Sequence, residues 1–570
     1  MFTSRFFGLF FFCSETIDER RLVFYTNDVH IILLVINLLT GIIPLANVPS
    51  WSSIDNDYST GAGFADINND GYLDFCTSNG NDMAFNKQGI YFNNLGVLET
   101  SASWRSQDSG MFGHLYLGDV NNDNLVDMAV AFLGPQGDCR TRIYYNVGTT
   151  LGYLPGWISL DADFSFDCCL GDFDLDGDLD LAVSAGDAYT NIRSPVKIYR
   201  NNNGSLEPLP CWTAFDSTPS DAVRFCDLNN DGYLDLIVGY RRKLAVYYNH
   251  NGTIENMPSW QISFHSWVLR LATGDFDNDG WQDLAVAGNG QLASDSSWIK
   301  IFKNNYGTLT SSAVYTFSRQ RRYNSCVLWA DFNNDGYLDL ATGGWWEPVM
   351  VFENASGTFD TVPDWLWNGG YNLVCEALVA GDVRNRYLQV RSDTFITDGA
   401  RRLFYARKIP IHQLIGVYHN NTLVPSGCYA YDPQAGWISI NRNFSLGDTI
   451  IIEYKYSRYP DLAVSNWHYS AGNHLFYNTT QPAITNTQYL SEKIKPDVYP
   501  NPFSTRIFFN LPLGTEIVIY HISGQKITKI NAPAYFWDGK DQRGRIVPAG
   551  VYLARFKLKN TIKEIKIIKL

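Results

Sequence analysis

One string recurs along this chain at a near-constant spacing, and it limits the possible folds more than any other feature. It reads ADINNDGYLDF from 65, GDVNNDNLVDM from 118, GDFDLDGDLDL from 171, CDLNNDGYLDL from 226, GDFDNDGWQDL from 274 and ADFNNDGYLDL from 330. A decayed seventh copy, GDVRNRYLQV, starts at 381. The leading aspartates are Asp66, Asp119, Asp172, Asp227, Asp275, Asp331 and Asp382, spaced 53, 53, 55, 48, 56 and 51 residues apart.

Each repeat carries two further landmarks. An aromatic segment ending in Asn follows each loop, as in IYFNN from 90, IYRNN from 198, IFKNN from 301 and LFYN from 475. A Trp element precedes most loops, at Trp51, Trp104, Trp157, Trp212, Trp260 and Trp365, with Tyr315 in the sixth place. Short apolar runs such as LAVSAG follow the intact loops, and runs bounded by Gly and Asn read as strands. A unit of this length with about four strands is a propeller blade. The expected fold class is therefore all-β: a seven-bladed β-propeller over 47–480, with six or eight blades as the alternatives. The Trp element at 48–55 precedes every loop, and the last repeat lacks its own, so the N-terminal strand is expected to complete the seventh blade. That closure removes an open sheet edge.

The loops follow D-x-[DN]-x-[DN]-x-x-x-D, which points to a cation. Calcium takes six to eight oxygens in a flexible shell. The expected ligand sets are Asp66, Asn68, Asp70, Tyr72 and Asp74; Asp119, Asn121, Asp123, Leu125 and Asp127; and Asp172, Asp174, Asp176, Asp178 and Asp180. They continue with Asp227, Asn229, Asp231, Tyr233 and Asp235; Asp275, Asp277, Asp279, Trp281 and Asp283; and Asp331, Asn333, Asp335, Tyr337 and Asp339. In each set the fourth residue offers its backbone carbonyl. Gly at the sixth position, replaced by Asn124 in the second loop, permits the sharp turn. An EF-hand is excluded, because position 12 holds Thr77, Val130, Val183, Val238, Val286 and Thr342 instead of Glu. About six structural Ca2+ ions are expected, and they would cancel most of the formal charge of -14. In the seventh copy Arg384 and Arg386 stand at ligand positions, so no ion is expected there. Its second half reappears as YPDLAVSNW from 459, with Asp461 in the ninth place. The intervening 387–458 reads as a β-rich insertion in blade seven.

The remaining composition bounds the partners. An acidic chain is a poor match for nucleic acid phosphates. The run from Ile31 to Ala46 is apolar but short for a membrane span. Residues 1–46 are expected to be a signal peptide or leader cleaved near Ala46, with an uncleaved anchor as the alternative; no stable span is expected in the mature form. Ten cysteines at irregular spacings leave free thiols and one or two disulfides equally open. No H-E-x-x-H, G-x-S-x-G or P-loop is present. A binding role is expected in place of catalysis. Its alternatives are a polysaccharide lyase using Arg241, Arg242 and Lys243 or Arg319, Arg321 and Arg322, and a structural surface-layer component. Trp345 and Trp346 form a candidate sugar-stacking patch.

The Asp loops and their period make residues 48–480 resemble the FG-GAP (VCBS-type) repeat family, which includes the integrin α propeller. That resemblance implies a seven-bladed propeller with Ca2+ in the blade loops. Residues 498–570, with VYPNPF, IVIYHISGQKI, FWDGKDQRGRIVPAGVYLARF and KEIKIIKL, resemble the type IX secretion sorting domain and its Ig-like β-sandwich. The resemblance implies a secreted or surface-attached bacterial protein that meets the type IX secretion machinery through this domain. A linker is expected over 481–497, and an extracellular protein or glycan is the expected ligand.

Overall fold

The computed structural model describes residues 43–570 except 83, 135–137, 188–189, 292–296, 320–322, 481–496, 500–506, 511–515, 531–535 and 559–560. Most of the expected leader and nearly all of the expected linker lie outside the described residues. The chain divides into two compact units after Thr480.

The first unit is an all-β, propeller-type fold. Its main body contains seven groups of four antiparallel strands. The first group is Ser59–Ala65, Asp74–Asn79, Gly89–Tyr91 and Trp104–Arg105. The fifth and sixth groups are joined at the single pair Asn289 and Tyr323. In the seventh, Cys375–Gly381, Asp461–Asn466 and His474–Phe476 are completed by Trp51–Ser52 from the other end of the unit. Trp51 sits opposite Leu475 in that pairing. The first strands of successive groups pack side by side, and Cys375–Gly381 packs in turn against Ser59–Ala65.

This arrangement explains the local sequence. Each second strand lies between two neighbouring sheets, so Asp74–Asn79, Asp127–Phe132 and Asp235–Tyr240 are buried on both faces. A strand buried on both faces needs a continuous apolar or small-residue run and not an alternating one. The residue before the leading aspartate is small because the next sheet comes close. A Cβ on Gly171 would lie 2.4 Å from the Phe225 ring, and one on Gly274 would lie 2.8 Å from Leu338. The core is accordingly split into clusters at the seams, such as Cys226, Val246, Leu271 and Phe302 between sheets four and five.

Two side-chain types stitch the seams. The Asn ending each aromatic segment donates its amide twice. Asn201 Nδ2 reaches Leu179 O at 3.0 Å in its own sheet and Val120 O at 2.7 Å in the preceding one. Asn93, Asn146, Asn249, Asn304, Asn354 and Asn478 repeat the pattern. Asn93 bonds Val383 O, joining the first sheet to the seventh. On the outer rim, the Trp indole donates forward, as from Trp104 Nε1 to Leu151 O at 2.8 Å and from Trp260 to Leu309 O at 3.0 Å. Tyr315 takes the same place with its hydroxyl on Gly357 O at 3.4 Å.

Residues 43–46, placed in the leader by the sequence, pack on the seventh sheet. Ile43 and Leu45 are buried, Leu45 bridges Asn478, and Trp365 Nε1 donates to Ala46 O at 3.2 Å. The segment between the halves of the seventh loop forms two small sheets. One contains Leu388–Ile396, Ile411–His419, Thr422–Leu423 and Thr449–Ser457, and the other Leu403–Tyr405, Tyr429–Tyr431 and Trp437–Ile440. They share a core that includes Phe404, Val417, Ile438, Ile452 and Tyr454.

The second unit has a three-stranded sheet, with strands Asp497–Tyr499, Ile507–Asn510 and Phe536–Trp537, and a four-stranded one. The latter orders Lys526–Ile530, Glu516–His521, Gly550–Leu558 and Thr561–Lys569. Ile517, Ile519, Trp537, Tyr552 and Phe556 form its core. Among the described residues no helix is long and apolar enough to cross a membrane.

Candidate metal centre

All six intact Asp loops connect the first and second strands of their sheets, so they lie on one face of the ring of sheets. Their backbone is repeated with little change. In the first loop, Asp66 Oδ1 accepts the Asp70 N–H at 2.9 Å and Oδ2 accepts the Gly71 N–H at 2.8 Å. Asp70 Oδ1 in turn accepts the Tyr72 N–H at 2.9 Å. The sixth position has positive φ throughout, from +68° at Asn124 to +100° at Gly336.

A second left-handed residue went unread in the sequence. The fourth position, Asn69, Asn122, Leu175, Asn230, Asn278 and Asn334, has φ between +57° and +61°. Asn tolerates that conformation, and its side chain also links neighbouring loops. Asn230 Nδ2 donates to Gly280 O at 3.2 Å, and Asn278 Nδ2 to Gly336 O at 3.1 Å. The repeated Asn at this position was a visible signal, but its partner lies one repeat away.

The ninth aspartates, Asp74, Asp127, Asp180, Asp235, Asp283 and Asp339, are fully buried. Each one ties the loop to the seam. Asp180 Oδ2 accepts the Phe173 N–H at 3.1 Å, and Oδ1 accepts the Asn201 N–H at 2.7 Å. Asn201 is the residue that hooks the preceding sheet. Burial pushes Asp74 and Asp127 up to about 7 and Asp283 up to about 8. It holds Asp180, Asp235 and Asp339 well above the usual carboxylate range, and neighbouring carboxylates add to the shift. The first-position Asp119 and Asp227 rise to about 6 for the same reason.

Convergence of carboxylates is greatest in two loops. Oxygens of Asp172, Asp174 and Asp180 lie within 4.8 Å of one another, as do those of Asp275, Asp277 and Asp283. These are the loops with Asp in place of Asn at the third position. In the other four, the third-position Asn donates to the fifth-position Asp, as from Asn121 to Asp123 at 3.0 Å. Each Asp-rich loop also has a cation beside it. Arg200 Nε lies 2.9 Å from Asp174, and Lys303 pairs with Asp277 and, at 3.0 Å, with Asp279. Buried oxygens without a hydrogen-bond partner remain at Asp174 Oδ1, Asp277 Oδ1 and Asp227 Oδ1. Carboxylate oxygens of that kind, in an all-oxygen set, fit a hard divalent cation.

The decayed loop keeps the turn at its first aspartate and brings a guanidinium to its ninth. Asp382 still accepts two backbone N–H groups, from Arg386 at 3.1 Å and Tyr387 at 2.7 Å. Asp461 accepts those of Val383 and Asn478. The Arg384 guanidinium lies 3.4 Å from Asp461, donates to Asn478 O, and sits 3.8 Å over the Tyr477 ring.

Residues of the insertion touch the loops directly. Ser439 Oγ donates to Asp172 at 2.6 Å, Lys408 Nζ to Asp331 at 2.7 Å, and Arg401 Nη2 to Asp227 at 3.4 Å. Its turn at 432–435 enters the space where the first strands converge. It lines a cavity of about 120 Å3 with Leu117, Arg224, Arg270, Trp329 and Leu378. Asp167, fully buried, accepts from Arg224 and Arg270, each at 2.7 Å, with the buried His114 3.4 Å away.

The opposite face carries a group of exposed aromatics, although Tyr306 and Tyr153 are exposed on the loop side. Trp345 is buried, whereas Trp346 is 45% exposed at φ +58°. Tyr323 lies 5.9 Å from Trp346, and Tyr58 contacts Trp467 and Tyr469. Of the basic groups considered for a lyase, Lys243 pairs with Asp216 and Arg241 donates to Asn191 at 2.9 Å. Arg321 and Arg322 lie outside the described residues.

The chain carries FG-GAP-like repeats, with matches over 227–286 and 275–342. Solved structures similar to it include BBS1N in complex with ARL6DN, soaked with mercury. That chain has 11% identity and a TM-score of 0.38, with 72% of this chain and 95% of that one covered. A lead-soaked form of the same complex has 11% identity and a TM-score of 0.39, covering 70% and 97%. No curated protein is matched.

Proposed function

We propose that residues 43–480 form a seven-bladed, calcium-binding propeller that acts outside the cell as a binding module for a glycan or protein ligand. The observation that carries this reading is the Asp loop, which recurs with one backbone geometry in six successive sheets. A turn that served only to reverse the chain would not need three or four carboxylates, some with buried oxygens lacking donors. Calcium would neutralise those carboxylates and hold the loop that positions each seam Asn. Residues 498–570 are proposed as the Ig-like sorting domain that hands the protein to type IX secretion.

The insertion covers much of the loop face, so the ligand is assigned to the other face. Trp346, Tyr371 and Tyr469 are 45%, 90% and 51% exposed there. Flat aromatic faces beside amide and hydroxyl groups suit sugar rings. The test is a glycan array on the full chain, with Trp346→Ala and Tyr371→Ala as comparisons. Retention of a glycan that both variants lose supports the reading. Retention unchanged in both variants removes the aromatic face from it, and cleavage of a polysaccharide would replace binding by catalysis.

A further inference from the structure

Cys326 belongs to the first strand of the sixth sheet, Tyr323–Ala330, and Cys375 begins that of the seventh. Both are fully buried, and their sulfurs are 3.1 Å apart. Two unbonded sulfurs at that distance are crowded, and they stand about 1 Å beyond the length of a disulfide bond. Gly343, on the neighbouring strand Asp339–Trp345, faces both. A Cβ there would lie 2.6 Å from Cys375 Sγ and 3.1 Å from Cys326 Sγ. The glycine leaves the space that the two sulfurs fill. Other cysteines turn to backbone: Cys168 Sγ lies 3.8 Å from His114 O and Cys211 Sγ 3.4 Å from Ile198 O.

We propose that Cys326 and Cys375 form a disulfide that fastens the sixth sheet to the seventh. The oxidant is a disulfide carrier, either a small molecule or a protein. One cysteine thiolate attacks the carrier disulfide and releases one carrier thiol. The second cysteine thiolate attacks the mixed disulfide and releases the other. Two protein thiols thereby lose two electrons and two protons, and the carrier leaves as two thiols. Because both sulfurs are sealed in the finished seam, the bond forms while the sixth and seventh sheets are still open. Burial also pushes the Cys375 thiol well up, which removes the reactive thiolate once the seam has closed. The cross-link spans 49 positions. It fixes the inner strand of the one sheet whose outer strand arrives from the other end of the unit.

The full chain, reduced and unfolded, is refolded with calcium in a glutathione and glutathione-disulfide buffer. It is then unfolded again with an alkylating reagent and no reductant, digested, and weighed by mass spectrometry. The expected result is one joined, unlabelled species carrying Cys326 and Cys375, which reductant separates. Labelling of both residues, or joining of either to a different cysteine, overturns the proposal. A second measurement compares melting with and without reductant in the wild type and in the Cys326→Ser/Cys375→Ser double variant. Reductant is expected to lower the wild-type Tm by several degrees and leave the double variant unchanged. An equal response in both overturns the proposal.

Discussion

Asn201 donates one side-chain hydrogen bond across the seam to Val120 O and one within its own sheet to Leu179 O, while its backbone N–H donates to Asp180. Replacing it by Ala leaves Val120 O and Leu179 O without that donor. A buried polar group stripped of its partner costs about 1–3 kcal/mol. Asn201→Ala is therefore expected to lower stability by about 2–4 kcal/mol, read from denaturant unfolding. The same residue scale governs pH. The ninth aspartates have folded pKa values raised above those of the unfolded chain, to about 7 at Asp74 and Asp127 and about 8 at Asp283. A raised carboxyl means that the folded protein binds more protons, so stability is greatest at low pH and falls as pH rises through the folded value. In chelator, the Tm is expected to fall between about pH 5 and pH 8. Calcium is expected to flatten or reverse that slope, since it favours the ionised carboxylates. A chelated protein that gains stability over this range would contradict the burial argument. The ligand positions were legible because they recur at one period within a single short string. The job of the seam Asn was not, because its acceptors lie in another repeat and nothing local marks them.

Among the elements, the insertion deserves a role beyond its own fold. Lys408 and Arg401 lie on the carboxylates of the sixth and fourth loops. A lysine there stabilises the metal-free loop and opposes a divalent ion. Lys408→Ala is expected to lower the Tm in chelator and to tighten calcium at the sixth loop, widening the gap between loaded and chelated melts. The effect should be about 1 kcal/mol, as for a partly exposed ion pair. Isothermal titration against the wild type reads it, and an unchanged gap would mean that Lys408 is irrelevant to the ion. The strands of the insertion were readable from LIGVYHNN, GWISINRN and TIIIEYKYS. Its seat on the loop face was not readable, since contacts such as Lys408 with Asp331 join residues 77 apart in the sequence.

At the scale of the whole molecule, the seventh sheet draws on both ends of the first unit. Its outer edge includes Ile43 and Leu45 as well as Trp51, because Leu45 takes the place that Leu151 and Leu206 hold in their own sheets. The sequence placed a boundary at Ala46 because an apolar run followed by small residues also describes a leader. Burial of Ile43 and Leu45 is worth about 1.5–3 kcal/mol each. A chain starting at 47 is thus expected to melt lower than one starting at 43, and equal melting would mean that this edge contributes nothing.

The measurement that bears most directly on the central claim is calcium stoichiometry by elemental analysis of the purified full chain, paired with a melt in chelator. About six ions per chain, with a large loss of Tm on chelation, is the expected result. Little or no calcium and an unchanged melt would contradict it, and would leave the Asp loops as hairpin turns and nothing more.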